Sequence, residues 1–413
     1  MSRSSRVRST NCFCRSIPHT LGKEWRSAAT THRTAVPSVD PTAAAALLRA
    51  GGAGVMTYGD PVSRTVAHGG TDSPAPVVSA ERVRFTLPDP DHRWAGVRLE
   101  VDWVAPGARD YGFADGVWSL DFPRPAAWRI EYQLGLRGDD GEPTRTADPT
   151  NPRRVANPFG DKSEIRFPDY REPAWLPTPP RGTTRPVAIP DLLGTAVPVR
   201  LWSPLGLDDT TAAPLLVVHD GSDLADRGDI LRWATAHAAT DPVRVVLVDP
   251  APGLRQDWYA ATPDYADHLA GVLLPVVTAQ VSCDRVVGLG ASLGALALLY
   301  LHRRHPAALD ALVLHSGSFF TWEFDSQESA WEPFDRICTE VARMAGPDGQ
   351  RPVPVLMTCG TIEENLANNR AMAAALTAHG YPLHFVMNPD AHTVIGWRDT
   401  WFPALDDLLT GRA

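Results

Sequence analysis

Between residues 76 and 180 polar and apolar positions alternate. Val83, Phe85 and Leu87 are separated by Arg84 and Thr86. Val97, Leu99, Val101 and Trp103 are separated by Arg98, Glu100 and Asp102. Trp128, Ile130, Tyr132, Leu134 and Leu136 are separated by Arg129, Glu131, Gln133 and Gly135. Successive side chains of a strand point to opposite faces, so each run predicts a strand with one buried and one solvated face. Several such strands, set apart by Pro, Gly and Asp turns, predict an antiparallel β-sandwich. Proline-rich sequence from Pro168 to Pro180 closes it.

From 185 to 413 the pattern changes. Short apolar runs at 215–218, 243–248, 285–289, 311–314, 353–357 and 383–387 alternate with helix-length stretches. Runs without polar alternation predict strands covered on both faces, and strand–helix alternation predicts a mostly parallel sheet with flanking helices. Residues 1–75 follow neither rule. They are rich in Arg, Ser, Thr and Ala, and the apolar stretch 43–48 is too short for a signal sequence and runs into Arg49. This segment reads as a disordered tail or an over-extended start, with Met56 an alternative initiator.

Charge and composition narrow the function. The net charge of −9 argues against a nucleic-acid partner bound through counterion release. All basic residues but Lys23 and Lys162 are arginine, and neither lysine lies in a G-x-x-x-x-G-K-[ST] loop, which excludes a P-loop NTPase. Cys12, Cys14, Cys283, Cys338 and Cys359 form no C-x-x-C pair, and H-E-x-x-H is absent, so no disulfide framework, metal site or cofactor is signalled. No apolar run is long enough to span a bilayer. These features predict a cytoplasmic protein.

The chemistry is carried by Gly290-Ala291-Ser292-Leu293-Gly294. It follows the apolar run 285–289 and precedes the helical stretch 296–304. G-x-S-x-G between strand and helix is a nucleophile elbow, the signature of an α/β hydrolase: small residues on either side let strand and helix approach, and the serine hydroxyl stands at the carboxyl end of the sheet. The amide of Leu293, at a helix N-terminus, is a candidate oxyanion donor. Read instead as a dinucleotide loop, the stretch lacks an acid at the end of the following strand, since 311–314 leads into His315-Ser316.

A serine nucleophile needs a base and the base an acid, in the chain order Ser, Asp/Glu, His. His392 follows the last apolar run. Glu363 and Glu364 follow the run before it, and Asp390 is a third candidate acid. A second oxyanion donor is expected near Gly221 or Ser222, after the run 215–218.

Several segments together resemble one family: Leu-Leu-Val-Val-His-Asp-Gly (215–221), Val-Leu-Val-Asp-Pro (246–250) leading to Arg255-Gln-Asp-Trp258-Tyr259, Gly-Ala-Ser-Leu-Gly (290–294), His-Ser-Gly-Ser-Phe (315–319), and Gly-Thr-Ile-Glu (360–363) followed by Asn369-Arg370. From about residue 80 onward the chain resembles the enterochelin esterases (ferric-enterobactin hydrolases) of the esterase D superfamily. The resemblance implies an immunoglobulin-like β-sandwich before an α/β-hydrolase domain, with Ser292 as nucleophile, Glu363 as acid and His392 as base. It places Arg255 and Tyr259 beside a cleft for a small-molecule ester, a ferric siderophore among the candidates, with no cofactor. One departure bears on specificity: the family's Gly-Gly-His is Asp390-Ala391-His392 here. An acyltransferase or sugar-ester esterase of the same superfamily, and a hydrolase fold kept as a binding module, are the competing readings.

Overall fold

In the computed structural model, which describes residues 75–412 apart from 140, 142, 158, 159 and 350, the alternating segments form two antiparallel sheets. The expected N-terminal tail lies outside the described residues. One sheet has the order β1 (Val77–Val78), β2 (Arg82–Pro88), β5 (Val117–Pro123), β4 (Gly112–Ala114). The other has β3 (Gly96–Glu100), β6 (Arg129–Arg137), β9 (Lys162–Arg166), β8 (Arg154–Val155), with β7 (Thr144–Thr146) also paired to β6. Their inward residues share one apolar core, in which Phe85, Phe122, Ile130 and Tyr132 are fully buried.

Strand β6 departs from the expected alternation. Its polar positions Arg129 and Glu131 are 0% and 5% exposed, because the outer face at this end is covered by loops from the C-terminal half. Alternation assumes that one face meets water, and here it meets protein instead.

The six apolar runs form β12 (Leu215–His219), β13 (Arg244–Val248), β14 (Val286–Ala291), β15 (Ala311–His315), β16 (Val355–Gly360) and β17 (Leu383–Asn388), and β10 (Gly182–Pro186) and β11 (Val199–Pro204) extend them to an eight-stranded sheet. The spatial order is β10-β11-β13-β12-β14-β15-β16-β17, with β12 to β17 parallel and β10 and β11 antiparallel at one edge. Every residue of β12, β13, β15 and β16 is buried, as expected for strands covered on both faces. Strand β17 is the opposite edge and stays partly open, with Met387 46% exposed.

This order positions the site. The chain winds one way from β12 to β13 and the other way from β14 onward, so the loops after β12 and β14 flank the switch point, where parallel α/β sheets place their ligands. Ser292 and Gly221 lie on those two loops. Among the described residues, no helix is long and apolar enough to cross a membrane.

Candidate active site

Ser292 lies between β14 and the helix Leu293–Arg304, with φ 56° and ψ −122°. A non-glycine residue held at positive φ is strained by roughly 1–3 kcal/mol and persists only where its surroundings enforce it. The enforcement is visible. Ser292 N–H donates to His315 O at 2.9 Å, and its carbonyl accepts from Ser318 N–H at 3.1 Å. A Cβ on Gly290 would stand 2.5 Å from the backbone of Gly294, so strand and helix approach this closely only without a side chain there. Gly290→Ala is accordingly expected to cost roughly 2–3 kcal/mol, as overpacking does; a urea midpoint equal to wild type would contradict it.

The side chain of Ser292 is 4% exposed, and its hydroxyl shares a hydrogen bond with Ser318 Oγ at 3.2 Å. Ser318 belongs to the loop after β15, the neighbouring strand. The Leu293 amide opens the following helix, whose first N–H groups have no intrahelical acceptor.

The loops after the next two strands bring the candidate acid and base together. Glu363 follows β16, and its Oε2 lies 3.0 Å from His392 Nδ1, which follows β17. Its other oxygen accepts from Ser316 Oγ at 2.6 Å and from Gly360 N–H at 2.7 Å. Burial alone would raise the pKa of this carboxyl, but His392 and the donors from Ser316 and Gly360 outweigh it and hold Glu363 below its ordinary value. An ionised Glu363 fixes the tautomer: Nδ1 carries the proton and Nε2 is the basic nitrogen. Of the three acids considered, Glu363 alone is shown against His392. Glu364 is exposed, and Asp390 pairs with Arg129 from β6 at 2.9 Å.

Two supports of this pair had no signal in the sequence. Ser316 holds Glu363 and itself accepts from Trp397 Nε1 at 2.8 Å. The indole of Trp397 also meets the imidazole of His392 edge-on, with ring centroids 5.0 Å apart.

On the other side of Ser292 stand the loop after β12 and the helix Arg255–Tyr259, which follows β13. The Ser222 amide is taken by Asp249 Oδ1 at 2.8 Å, and its hydroxyl by Asp249 Oδ2 at 2.6 Å, so Ser222 is committed to holding the loop. Gly221 packs against β13, where a Cβ would stand 2.6 Å from Leu247 Cα. Tyr259 is fully buried. Its hydroxyl accepts from Asp220 N–H at 3.3 Å, which makes it a support of the loop and leaves no surface for substrate. Arg255 forms a two-pronged ion pair with Asp220, at 2.8 and 2.7 Å. Its charge is thus compensated within the protein.

His219, at the end of β12, joins the two halves of the site. Gly294 O can only accept, so His219 Nδ1 donates to it at 3.2 Å, and Nε2 accepts from Tyr265 OH at 2.9 Å. Burial lowers its pKa to about 4, so this imidazole is a neutral brace at physiological pH. Among the described residues, no group of three His, Cys, Asp or Glu side chains is arranged to hold a metal ion.

Comparison with known proteins bears on the family and the fold. The profile of the esterase family matches residues 191–393. The iron(III) enterobactin esterase of Dickeya dadantii is 28% identical over 232 residues, 51% of this chain and 52% of that protein. The chain thus spans about half the length of that curated relative. Among solved structures, the enterobactin esterase of Shigella flexneri, crystallised in the presence of enterobactin, superposes with a TM-score of 0.64 at 18% identity, covering 83% of this chain and 97% of that one. The ferric enterobactin esterase of Salmonella typhimurium gives 0.65 at 18% identity, covering 82% and 97%. At such identities the likeness establishes the fold.

Proposed function

We propose that this chain, which belongs to an enterochelin esterase-like family, is a serine esterase acting through Ser292, His392 and Glu363. The observation that carries the reading is the part-buried 3.0 Å contact between Glu363 and His392, on the loops after β16 and β17, which continue the sheet beyond Ser292.

In this reading His392 Nε2 takes the proton of Ser292 Oγ as the oxygen attacks the ester carbonyl. Glu363 stays ionised and stabilises the imidazolium that forms. The Leu293 amide and the Gly221 amide hold the oxyanion; Ser222, committed to Asp249, is removed from that role. The imidazolium then protonates the leaving alcohol, and water repeats the sequence on the acyl-enzyme. His392 and Glu363 suffice for each proton movement, so no cofactor is invoked, and any iron belongs to the substrate.

The substrate class follows the names of the relatives, which are enterobactin esterases, and one feature of this chain supports aromatic esters. The loop that carries Ser318 exposes Trp322 and Phe324, 53% and 42% accessible, at the same end of the sheet as Ser292. Flat aromatic surface of this kind suits ring-bearing ligands such as catecholates. With Arg255 paired to Asp220, stacking has to contribute more to recognition than a lone guanidinium. The test compares kcat/KM for a ferric tris-catecholate trilactone with that for p-nitrophenyl acetate. A clear preference for the trilactone is expected. Cleavage of the acetate alone, or transfer of acyl groups to a sugar in place of water, would overturn the substrate assignment.

A further inference from the structure

Arg129 opens β6 at a position that alternation assigns to solvent, yet it is 0% exposed and its fork is filled. Nε donates to Glu164 Oε1 at 2.8 Å and Nη2 to Glu131 Oε1 at 2.6 Å, both within the sandwich. Nη1 reaches across to Asp390 Oδ2 at 2.9 Å and Thr393 Oγ1 at 3.0 Å. Those two residues bracket His392. Asp390 also accepts from the Ala391 amide at 2.6 Å, and Thr393 Oγ1 caps the next helix by accepting from Gly396 N–H at 2.9 Å. One guanidinium therefore holds both sides of the turn that carries the imidazole.

The loops of the acid and of the base are both held from the same sandwich. Val104 N–H donates to Ile362 O at 3.0 Å, and Trp128 N–H to Pro389 O at 2.7 Å. Ile362 and Ala391, each one residue before a member of the acid–base pair, are 6% and 2% exposed and pack into the apolar core of the sandwich. The departure from Gly-Gly-His thereby acquires a physical reason. Asp390 supplies a carboxylate for Arg129 and Ala391 a methyl group for the core; glycine offers neither.

Stability is a poor explanation for this arrangement. A guanidinium buried among carboxylates is often no more stabilising than apolar side chains of the same volume. Its planar fork does, however, fix directions tightly.

We propose that Arg129 is a positioning residue for the acid–base pair, so that the sandwich sets where His392 stands relative to Glu363. The kinetic consequence rests on the esterase reading above; the contact itself does not. Arg129→Met removes the fork and leaves buried carboxylates unpaired. Asp390→Asn is measured beside it, because it keeps the shape and leaves Arg129 paired with Glu131 and Glu164.

Two readouts are taken on each variant whose circular dichroism matches wild type: kcat and KM on p-nitrophenyl acetate, and the downfield proton resonance of His392 Nδ1–H, identified by its loss in Glu363→Gln. Displacement by about an ångström costs about 10²-fold in rate. Arg129→Met is therefore expected to lose about that much kcat, and Asp390→Asn about tenfold, with KM near wild type and the resonance broadened or lost. Wild-type kcat or a wild-type resonance in either folded variant overturns the proposal, and Asp390→Asn decides alone if Arg129→Met does not fold. Should the wild-type protein cleave no ester, the esterase reading falls, while the resonance still judges whether Arg129 sets the pair.

Discussion

Ser292→Ala is expected to lower kcat on any ester this chain cleaves by on the order of 10⁶-fold, with the fold intact, because nucleophile, base and acid act as a unit and removing the first leaves only binding and the oxyanion hole. The fold is expected to survive since alanine keeps the backbone contacts that hold position 292, namely the bonds to His315 O and Ser318 N–H. The hydroxyl contributes a single bond to Ser318. The measurement is steady-state hydrolysis alongside thermal unfolding. A variant that retains a tenth of the activity at unchanged stability would show that another group attacks the carbonyl. This separates Ser292→Ala from Gly290→Ala, where activity is lost together with stability.

The second large effect is at the acid. Glu363→Gln is expected to lower kcat by about 10⁴-fold, the loss seen when a triad carboxylate becomes an amide and the imidazole takes the wrong tautomer. Glu364→Gln is expected to stay near wild type, since that side chain is exposed and is not shown bonded to the base. If both substitutions leave kcat unchanged, His392 works without an acid.

The same carboxylate makes stability depend on pH with a definite sign. Its folded pKa lies below the ordinary 4.5, so the folded state releases this proton more readily than the unfolded chain. The stabilisation it brings is present above the unfolded value and disappears as pH falls through the lower, folded value. Urea unfolding of wild type and Glu363→Gln between pH 6 and pH 3 should show wild type losing stability relative to the variant as acid is added. Parallel curves would mean that Glu363 is not held ionised by His392, Ser316 and Gly360.

Legibility in the sequence depended on how local each feature is. Ser292 could be read because its constraints, Gly290 and Gly294, lie two residues away on either side and follow from the strand–helix turn itself. The strands β12 to β16 could be read because burial on both faces leaves uninterrupted apolar runs. Strand β10 could not, being a short edge strand with the polar sequence Gly-Thr-Thr-Arg-Pro. The choice among Glu363, Glu364 and Asp390 depends on which loop of β16 or β17 turns toward which, a matter of packing across strands.

The partners of Arg255 and Tyr259 were hidden for a related reason. The family resemblance places a cation and a phenol beside a cleft; an aspartate 35 positions earlier pairs with one, and Tyr265 and His219 pack against the other. Arg129 was the least legible. Its alternating neighbours place it outward, and the partner that explains its burial lies 261 positions along the chain. All three positions lie where two loops or two layers meet, and local pattern carries no information about such meetings.

The most direct test of the central claim is to treat the protein with a fluorophosphonate and locate the adduct by peptide mass spectrometry. The geometry predicts a single stoichiometric phosphonyl group on the peptide containing Ser292, formed rapidly in wild type and slowly in His392→Ala. An adduct on Ser318 or another serine, or labelling unaffected by loss of His392, would contradict it.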